Sequence, residues 1–395
     1  MTNVDAARIA TATERAAPLS GGITVGDDVV RLLRDGAEAY PAMLAAIAAA
    51  EREVVVEFYW FGSDAVGQQF CDALAERARA GVSVRVVFDS FGSRPINEEM
   101  FAGLRASGAD VRAYHPLFGL AGSQRRLAFR DHRKLLVCDG GVGFTGGLNI
   151  GREWASRAQG GEGFRDDMVE VRGPAADELR VLFYRTWQRV LPRKQRRDPS
   201  LLPTLRPIDH VPRRPVWVMA NGHGWRARRA IRATYLRWIV EAKNSIDIVN
   251  AYFVPDRGIR RALIRAAQRG VQVRVMVPAN GDVTFVQWAV EAQLERLVKN
   301  GIRAWAFAGS VLHSKTAVVD DALVTIGSYN LDHRSFRYNL EVNLAIDAAP
   351  FAKIVKSSID RDLEASVEWT HEVLRNRGFL RRLLGEIVLL FARFL

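Results

Sequence analysis

The chain has 395 residues, 48% of them hydrophobic and 25% charged, which excludes a disordered chain and predicts two packed halves instead of one core. Its formal net charge of +12 favours an anionic partner, either nucleic acid or an acidic membrane surface. Charge alone does not choose between these two partners.

Secreted and membrane-spanning classes are disfavoured by the sequence. No stretch of about 18 uncharged apolar residues is present, which excludes a conventional spanning helix. Residues 1–22 lack the apolar segment of a secretion signal. Cys71 and Cys138 are the only cysteines, so we expect a reducing, cytoplasmic compartment.

The first predicted elements form an α/β unit that occurs twice. Residues 37–50 have helical periodicity and lead into an apolar strand at 54–61. Alternating strands and helices predict an α/β fold with a mainly parallel sheet covered on both faces. The unit consists of a helix at 68–80, Gly81 and a strand at 82–89, and it returns as a helix at 256–269, Gly270 and a strand at 271–278.

Two polar residues interrupt the matching apolar strands. Glu57 lies in the strand at 54–61, and Asn250 takes the corresponding place in the second half. Either they line a cleft shared by the halves and contact substrate, or they satisfy neighbouring backbone groups. Both interpretations stay open at this point.

A repeated motif carries most of the functional information. His132, Lys134 and Asp139 return 181 residues later with the same spacing, and each copy is followed by a Gly-rich turn that ends in Asn. Two copies in register are a far more specific signal than one. The second copy consists of His313, Lys315 and Asp320; the turns carry Gly147 and Asn149 in the first copy and Ser328 and Asn330 in the second.

These residue types suit attack on a phosphate. A neutral imidazole attacks phosphorus, lysine neutralises the phosphoryl oxygens, and the turn residues donate to the same oxygens. The second imidazole, when protonated, donates to the departing alcohol. The six motif residues are therefore the predicted catalytic set, in which Asp139 and Asp320 lie at strand ends before hairpin turns and act as braces. We expect no metal, because the lysines would repel a bound cation.

Arginines and prolines mark the regions around the motifs. Arg125, Arg126, Arg130 and Arg133 precede or overlap the first motif, and they either bind lipid phosphates or are ordinary surface charges. Proline-rich residues 191–215 form the predicted linker. The linker divides the chain into an extension at 1–24, a first half at 25–190 and a second half at 216–370.

The last segment, residues 371–395, is predicted to be an amphipathic helix. Leu380, Leu384, Ile387 and Phe391 fall on one helical stripe. Such a helix lies in a membrane interface or packs against the protein body. We favour membrane contact because the segment is terminal and rich in arginine.

The paired motifs resemble those of the phospholipase D superfamily. Residues 130–137, 250–255 and 327–336 resemble more closely the bacterial cardiolipin synthases of the short type, which lack N-terminal membrane helices, and the similarity extends from about Val25 to Ala348. The resemblance implies two pseudo-symmetric α/β/α sandwich halves that share one active site at their interface. It further implies His132 as nucleophile and His313 as general acid and base.

Further residue roles follow from the same resemblance. An acidic residue downstream of each motif orients its histidine, which matches Asp166 for the first motif and Glu341 for the second, with Asp167 as an alternative to Asp166. Family members often carry Ser where this chain has Gly147, so one phosphate-binding hydroxyl is missing from the first half.

The implied function is cardiolipin synthesis without a cofactor. Phosphatidylglycerol is joined to a second phospholipid through a phosphatidyl-histidine, and the head-group alcohol is released. The enzyme is expected on the cytoplasmic side of the inner membrane as a peripheral protein, with no nucleic acid as partner. The alternatives are another phospholipase D-type hydrolase or transphosphatidylase, a nucleic-acid phosphodiesterase and a non-catalytic binding module.

Overall fold

The computed structural model describes residues 20–116, 128–196, 198, 202, 214–222, 229–281 and 283–391. The fold is α/β and contains two eight-stranded sheets. The first sheet has the order β1-β2-β8-β7-β6-β3-β4-β5. Its strands are β1 (Ile23–Val25), β2 (Asp28–Arg34), β3 (Glu53–Phe58), β4 (Ser83–Asp89), β5 (Asp110–Tyr114), β6 (Lys134–Cys138), β7 (Val142–Gly146) and β8 (Asp167–Arg172).

The second sheet repeats this arrangement in the order β16-β12-β11-β10-β13-β14-β15-β9. In both sheets the motif strand, β6 or β13, lies between the strand that carries Glu57 or Asn250 and its own hairpin partner. The strands are β9 (Val216–Ala220), β10 (Ser245–Asn250), β11 (Gln272–Pro278), β12 (Arg303–Phe307), β13 (Lys315–Val319), β14 (Leu323–Gly327), β15 (Val342–Asp347) and β16 (Ser366–Glu368).

The prediction of a mainly parallel sheet is wrong. Only β3, β4 and β5 pair in parallel in the first sheet, as do β10, β11 and β12 in the second. The predicted hairpins after Asp139 and Asp320 are present, and a hairpin necessarily joins antiparallel strands. Because each motif strand also pairs antiparallel with its other neighbour, most pairings are antiparallel.

The helices confirm the repeated unit. The helices at 65–79 and 257–268 each end one or two residues before a glycine with positive φ, Gly81 at 87° and Gly270 at 91°. The described helices are α1 (Asp35–Ala49), α2 (Ala65–Arg79), α3 (Glu98–Ala106), α4 (Pro174–Val190), α5 (Ala230–Glu241), α6 (Arg257–Gln268), α7 (Thr284–Val298), α8 (His333–Arg337), α9 (Ala349–Glu364), α10 (His371–Arg375) and α11 (Phe379–Leu390).

A shared core joins the halves. Helix α4 of the first half packs against β9, and helix α9 of the second half packs against β2. One cluster of buried side chains spans both sheets between these helices, and a further cluster covers the outer face of each sheet. The ion pair between Arg165 Nε and Asp362 Oδ2, at 2.8 Å and fully buried, adds a polar contact across the interface. The halves are thus held rigidly enough to build one site between them.

Helix α11 packs on the body and also exposes an apolar face. It lies against α7, with Gly385 against the backbone of Trp288, and Arg381 pairs with Glu291. The packed arrangement is therefore present, and membrane contact stays a prediction. The exposed side chains are those of Phe379, Leu380, Leu383, Ile387, Leu390 and Phe391. Within the described ranges, no helix combines the length and the apolar character needed to span a membrane.

Several predicted features lie outside the described residues. These are Arg125 and Arg126, residues 1–19 of the extension, most of the linker at 191–215 and the last four residues. The boundaries proposed for the domains stay predictions.

Candidate active site

The two motif histidines are fixed by backbone contacts with the opposite half. His132 precedes β6, and its backbone N–H donates to the carbonyl of Leu340 at 2.9 Å. His313 precedes β13, and its N–H donates to the carbonyl of Arg165 at 2.7 Å. In each case the histidine therefore lies beside the chain segment that carries the other half's acidic residue.

The orienting carboxylates are consequently exchanged between the halves. His132 Nδ1 lies 3.0 Å from Glu341 Oε2, and His313 Nδ1 lies 2.6 Å from Asp166 Oδ2. The expected assignment of Asp166 to His132 and Glu341 to His313 is wrong. Two isolated backbone bridges between the halves, Asp131 with Leu340 and Arg165 with Leu312, bring each histidine to the acid of the other half. The order of residues along the chain does not reveal these bridges. With Nδ1 held behind each ring, Nε2 is the nitrogen left for chemistry.

Asp167 does not contact either histidine. Its carboxylate accepts from the hydroxyls of Ser314 and Thr316 and pairs with Arg165 at 2.6 Å. The alternative that Asp167 orients the first histidine is therefore wrong, and its contacts instead join β8 to the second motif strand.

Each orienting carboxylate is held by further donors. Glu341 accepts from the hydroxyls of Ser328 and Ser335 and from the Asn339 amide. Asp166 accepts from the indole N–H of Trp154 at 3.0 Å and from the N–H of Asp167 at 2.9 Å. Buried carboxylates held in this way stabilise an imidazolium without changing position.

Gly147 is required by the packing around Asp166. A Cβ at Gly147 would lie 2.1 Å from Asp166 Oδ1, so serine does not fit without moving that carboxylate. In the second half, Ser328 directs its hydroxyl to Glu341 and is fully buried. The expectation that glycine at position 147 removes a phosphate-binding hydroxyl is therefore wrong, because the matching hydroxyl of Ser328 donates to the Glu341 carboxylate.

The motif lysines lie behind the histidines and are fully buried. Lys134 Nζ donates to the carbonyl of His132 at 2.7 Å, and Lys315 Nζ donates to the carbonyl of His313. Burial lowers the pKa of Lys134 to about 7, a shift that the Glu341 carboxylate opposes. An arriving phosphate anion would favour the charged ammonium again.

Electrostatics distinguish the two histidine and carboxylate pairs. Burial, together with the charges of Lys134 and Lys315, lowers the pKa of His132 well below its ordinary value. Burial also raises the pKa of Glu341 to about 7. Burial alone would raise the pKa of Asp166, but Lys315 and His313 outweigh it and lower that pKa. Asp166 is therefore the stronger anion, and it partly offsets the lowering of the His313 pKa by burial.

The motif aspartates lie at the far end of their strands. Asp139 accepts from the backbone N–H groups of Glu51, Arg52 and Glu53 at 2.8–2.9 Å. Asp320 accepts from the N–H groups of residues 243–245, and these hydrogen bonds outweigh burial and lower its pKa. Both residues have positive φ, 53° and 52°, as the turn requires. Both aspartates brace the sheet, as the sequence predicts.

One cavity of about 610 Å³ contains both histidines. Its described walls include seven Phe, Tyr and Trp side chains, and Asn149 and Asn330 of the motif turns also line it. The Tyr59 ring meets His132 edge-on at 4.8 Å, and the Trp154 ring meets His313 in the same way at 5.2 Å. The remaining described lining residues are Trp60, Phe91, Gly92, Phe164, Tyr252, Val254, Val283, Phe285, Val286, Asp332, Arg334 and Asn339.

Five predicted substrate contacts are absent from the described lining of this cavity, namely Gly147, Ser328, Glu57, Asn250 and Arg130. Glu57 is fully buried, accepts from Thr186 and pairs with Arg133 at 3.5 Å. Asn250 accepts from the backbone N–H of Leu331 at 3.2 Å, so it satisfies the backbone as the plainer interpretation holds. Arg130 is 1% exposed and paired with Asp89, which makes it a core ion pair and not a lipid ligand. The proposed phosphate-binding roles of Glu57, Asn250 and Arg130 are therefore wrong.

Sequence analysis missed the aromatic wall. Tyr59 and Tyr252 follow Glu57 and Asn250 by two residues in each half, so the repeat itself could have identified them. Trp154 and Arg334 have no such internal counterpart. They are brought to the cavity by the segments after the motif turns.

Comparison with known proteins identifies similar sequences. The family described as "Cardiolipin synthase, PLD-like domain" matches residues 43–187 and 235–363. The major cardiolipin synthase ClsA of Bacillus subtilis (strain 168) is 32% identical over 350 residues, which cover 88% of this chain and 71% of that protein. The cardiolipin synthase of Geobacillus kaustophilus (strain HTA426) is 35% identical over 314 residues, covering 79% of this chain and 61% of that protein.

A solved structure has the same fold. Phosphatidylserine synthase of Haemophilus influenzae Rd KW20 superposes with a TM-score of 0.71 over 98% of this chain and 97% of that chain. The two sequences are 13% identical, so this likeness shows the fold alone.

Proposed function

The chain belongs to the cardiolipin synthase family with a phospholipase D-like domain, and from this premise we propose how its two halves transfer a phosphatidyl group between phospholipids. The observation that carries the proposal is the pair of carboxylate-bound imidazoles, one from each half, in one cavity. The donor is phosphatidylglycerol or another phospholipid, and the acceptor is phosphatidylglycerol. The product is cardiolipin.

In the first step, Nε2 of neutral His132 attacks the donor phosphorus. The new N–P bond forms as the bond between phosphorus and the head-group oxygen breaks. Protonated His313 gives its proton to that oxygen, so the head group leaves as a neutral alcohol. Lys134 and Lys315 offset the negative charge that develops on the phosphoryl oxygens.

In the second step, a hydroxyl of phosphatidylglycerol takes the place of the departed alcohol. His313, now neutral, accepts the hydroxyl proton while the oxygen attacks phosphorus. The N–P bond breaks, cardiolipin is released and His132 returns to its neutral form. The site returns to its starting protonation state, so no cofactor is consumed.

The electrostatic asymmetry supports His132 as the nucleophile. A nucleophile must be neutral, and the pKa of His132 is lowered well below its ordinary value, by burial first and then by the two lysines. A general acid must hold a proton. Burial and Lys315 lower the pKa of His313 as well, but the ionised Asp166 at 2.6 Å opposes that lowering, so His313 takes up a proton more readily than His132 does.

The aromatic wall provides the exclusion of water that the second step needs. Water competes with the lipid hydroxyl for the phosphatidyl-histidine and would give phosphatidic acid. Tyr59 and Trp154 cover one edge of each reactive imidazole, and Trp60, Phe164 and Tyr252 extend the apolar surface. An apolar wall also suits the glycerol backbones of lipids better than it suits the phosphodiester backbone of nucleic acid.

Helix α11 is proposed to hold the cavity against an anionic membrane surface. Its C-terminal end lies toward the N-terminal end of α7, because Gly385 contacts Trp288 while Arg382 pairs with Glu295. Phe285 at the start of α7 lines the cavity and is 48% exposed. The C-terminal end of α11 therefore lies toward the end of α7 that carries Phe285. The site of action is the cytoplasmic face of the inner membrane.

Product analysis tests the proposed function. Purified protein is incubated with phosphatidylglycerol vesicles, alone and with phosphatidylethanolamine, and the lipids are identified by mass spectrometry. A new four-chain lipid together with free glycerol is the expected result. Formation of phosphatidic acid alone would indicate a hydrolase and would overturn the proposed transfer.

A further inference from the structure

Arg334 differs from the other arginines near the active site. Arg130, Arg133 and Arg165 are almost completely buried, and each is paired with a carboxylate. Arg334 lies on α8, is half-buried and lines the cavity. Among the residues that the structure describes, its guanidinium has no hydrogen bond and no ion pair, whereas the buried arginines are saturated.

The carboxylate nearest in sequence does not neutralise Arg334. Asp332 is the only acid in the described lining of the cavity, and its Oδ1 accepts from the N–H of Ser335 at 2.7 Å as the N-cap of α8. Burial raises the pKa of Asp332 to about 7, which removes much of its charge at neutral pH. The charge of Arg334 acts on Asp332, but the two form no ion pair, and a cation that lines a cavity without an ion pair favours an anionic ligand.

The position of Arg334 relative to the chemistry is also defined. Burial first, and then the charges of Lys134, Lys315, His313 and Arg334, lower the pKa of His132. Arg334 is therefore near the nucleophile and lines the cavity, whereas the motif lysines lie behind the histidines and are absent from its described lining. The adjacent Ser335 donates to Glu341, so α8 is anchored to the carboxylate that orients His132.

The proposed reaction brings two phosphates into this space. The first is the reacting phosphate, which faces the two histidines, with the motif lysines behind them. The second belongs to the acceptor lipid, and it does not react. A cavity of about 610 Å³ is within the range of roughly 300–1,000 Å³ that accommodates drug-sized ligands, which leaves space beyond the reacting phosphate.

We propose that Arg334 forms a second phosphate subsite, which binds the non-reacting phosphate of the acceptor phosphatidylglycerol. This inference rests on the proposed function and deepens it. A guanidinium offers paired N–H donors that match phosphate oxygens. Bound there, the acceptor would present its terminal hydroxyl to His313 while the phosphatidyl group is still attached to His132. The subsite would therefore select a phosphorylated alcohol over glycerol or water.

A competition between acceptors tests the subsite. Protein is incubated with phosphatidylglycerol vesicles and isotopically labelled glycerol, and cardiolipin and labelled phosphatidylglycerol are quantified in the same reaction. Both products arise from one phosphatidyl-histidine, so their ratio reports acceptor recognition and is independent of how fast the intermediate forms. Labelled glycerol carries no phosphate and makes no use of the proposed subsite.

For Arg334→Gln, the ratio of cardiolipin to labelled phosphatidylglycerol should fall by about 10- to 100-fold, as expected for loss of a charge-assisted hydrogen bond to phosphate. Arg334→Lys should retain part of the ratio. Arg337→Gln is the matched control, because Arg337 is an exposed arginine on the same helix outside the cavity lining, and it should leave the ratio unchanged.

Two results would overturn the subsite. One is an unchanged ratio in Arg334→Gln with both products formed at the wild-type rate, and the other is an unchanged ratio with both products reduced equally, which would place Arg334 at the reacting phosphate or in the fold. A failure of the proposed function is distinguishable, because then the wild-type protein would form no cardiolipin at all. That result would also remove the second phosphate and with it the subsite.

Discussion

His132 of the first half is hydrogen-bonded through Nδ1 to Glu341 of the second half, at 3.0 Å. The reciprocal contact joins His313 of the second half to Asp166 of the first, at 2.6 Å. Each half therefore supplies one histidine and the carboxylate for the other. Neither half alone contains a complete acid and base pair, so separation of the halves should abolish chemistry even if both stay folded.

The two histidines should fail in different ways when replaced. His132→Asn removes the nucleophile and should abolish turnover of every donor. His313→Asn removes the general acid, which is worth roughly 10²- to 10⁴-fold for an alcohol leaving group. A donor whose head group is p-nitrophenol needs no proton to depart, so His313→Asn should still release nitrophenol in a burst. Nitrophenol release by His132→Asn and not by His313→Asn would reverse the assignment.

The exchanged carboxylates predict a specific pattern of coupling. Asp166→Asn should impair the same step as His313→Asn, so the double variant should be little slower than His313→Asn alone. Glu341→Gln acts on His132 and should slow the nitrophenol burst, which Asp166→Asn should leave largely intact. Additive losses for Asp166→Asn with His313→Asn, measured as turnover of phosphatidylglycerol, would contradict the exchange.

The pH dependence should form a bell. On its alkaline side His313, whose pKa is lowered chiefly by burial, loses the proton that it must donate. The pKa of Glu341 is raised to about 7, chiefly by burial. At acid pH its carboxyl is therefore protonated and no longer acts as the anionic partner that orients His132. The pKa of Lys134 is lowered to about 7, chiefly by burial, so on the alkaline side the ammonium loses its charge. We assign the fall in rate at low pH to protonation of Glu341 and not of His132, because the pKa of His132 lies well below its ordinary value.

The rate against pH is measured on wild type and Glu341→Gln. The rate of the variant is lower at every pH, but it should not fall further at acid pH, because glutamine does not titrate. A wild-type profile that is flat from about pH 5 to about pH 9 would contradict the assignment of both limbs.

The motif aspartates should affect stability and not chemistry. Asp139→Ala leaves several backbone N–H groups without their acceptor and should reduce the free energy of unfolding by about 1–3 kcal/mol. Denaturant unfolding measures this loss. Activity per folded molecule should stay near that of wild type, and Asp320→Ala should behave in the same way. A large fall in rate with unchanged unfolding would show that these residues act in the chemistry.

Membrane contact through α11 is best tested by point substitution, because α7 depends on this helix for packing and ion pairs. Leu380 and Leu390 are 66% and 77% exposed, so replacing both with Asp should leave the fold intact. Binding to anionic vesicles, followed by sedimentation, should weaken by about tenfold or more. The matched control is Val240→Asp, at an apolar side chain that is 55% exposed on α5. Equal binding by all three proteins would exclude α11 as the contact.

The sequence predicted the parts of the fold that depend on local pattern. Helix periodicity and the glycines at 81 and 270 located the repeated α/β unit, and the Asp-Gly and Asp-Asp turns located the hairpins. The paired motif located both imidazoles and both lysines. These signals succeed because spacing along the chain determines which face of a strand or helix a residue occupies.

Contacts between the halves could not be predicted in this way. The pairing of His132 with Glu341 follows from a backbone bridge between segments more than 200 residues apart, which no spacing rule encodes. The amino-acid composition likewise did not show that Arg130 forms a buried ion pair with Asp89 while Arg334 lines the cavity and forms no ion pair among the described residues. Burial and partner choice decide whether a cation is structural or binds a ligand, and both are properties of the folded chain.

Direct identification of the covalent intermediate is the most decisive test of the two-histidine account. His313→Asn protein is mixed with the p-nitrophenol donor, quenched under alkaline conditions during the burst, digested and analysed by mass spectrometry. The account predicts a phosphatidyl group on the peptide that contains His132, and none on this peptide in His132→Asn. A phosphatidyl group on another residue, or nitrophenol release with no adduct at all, would contradict it.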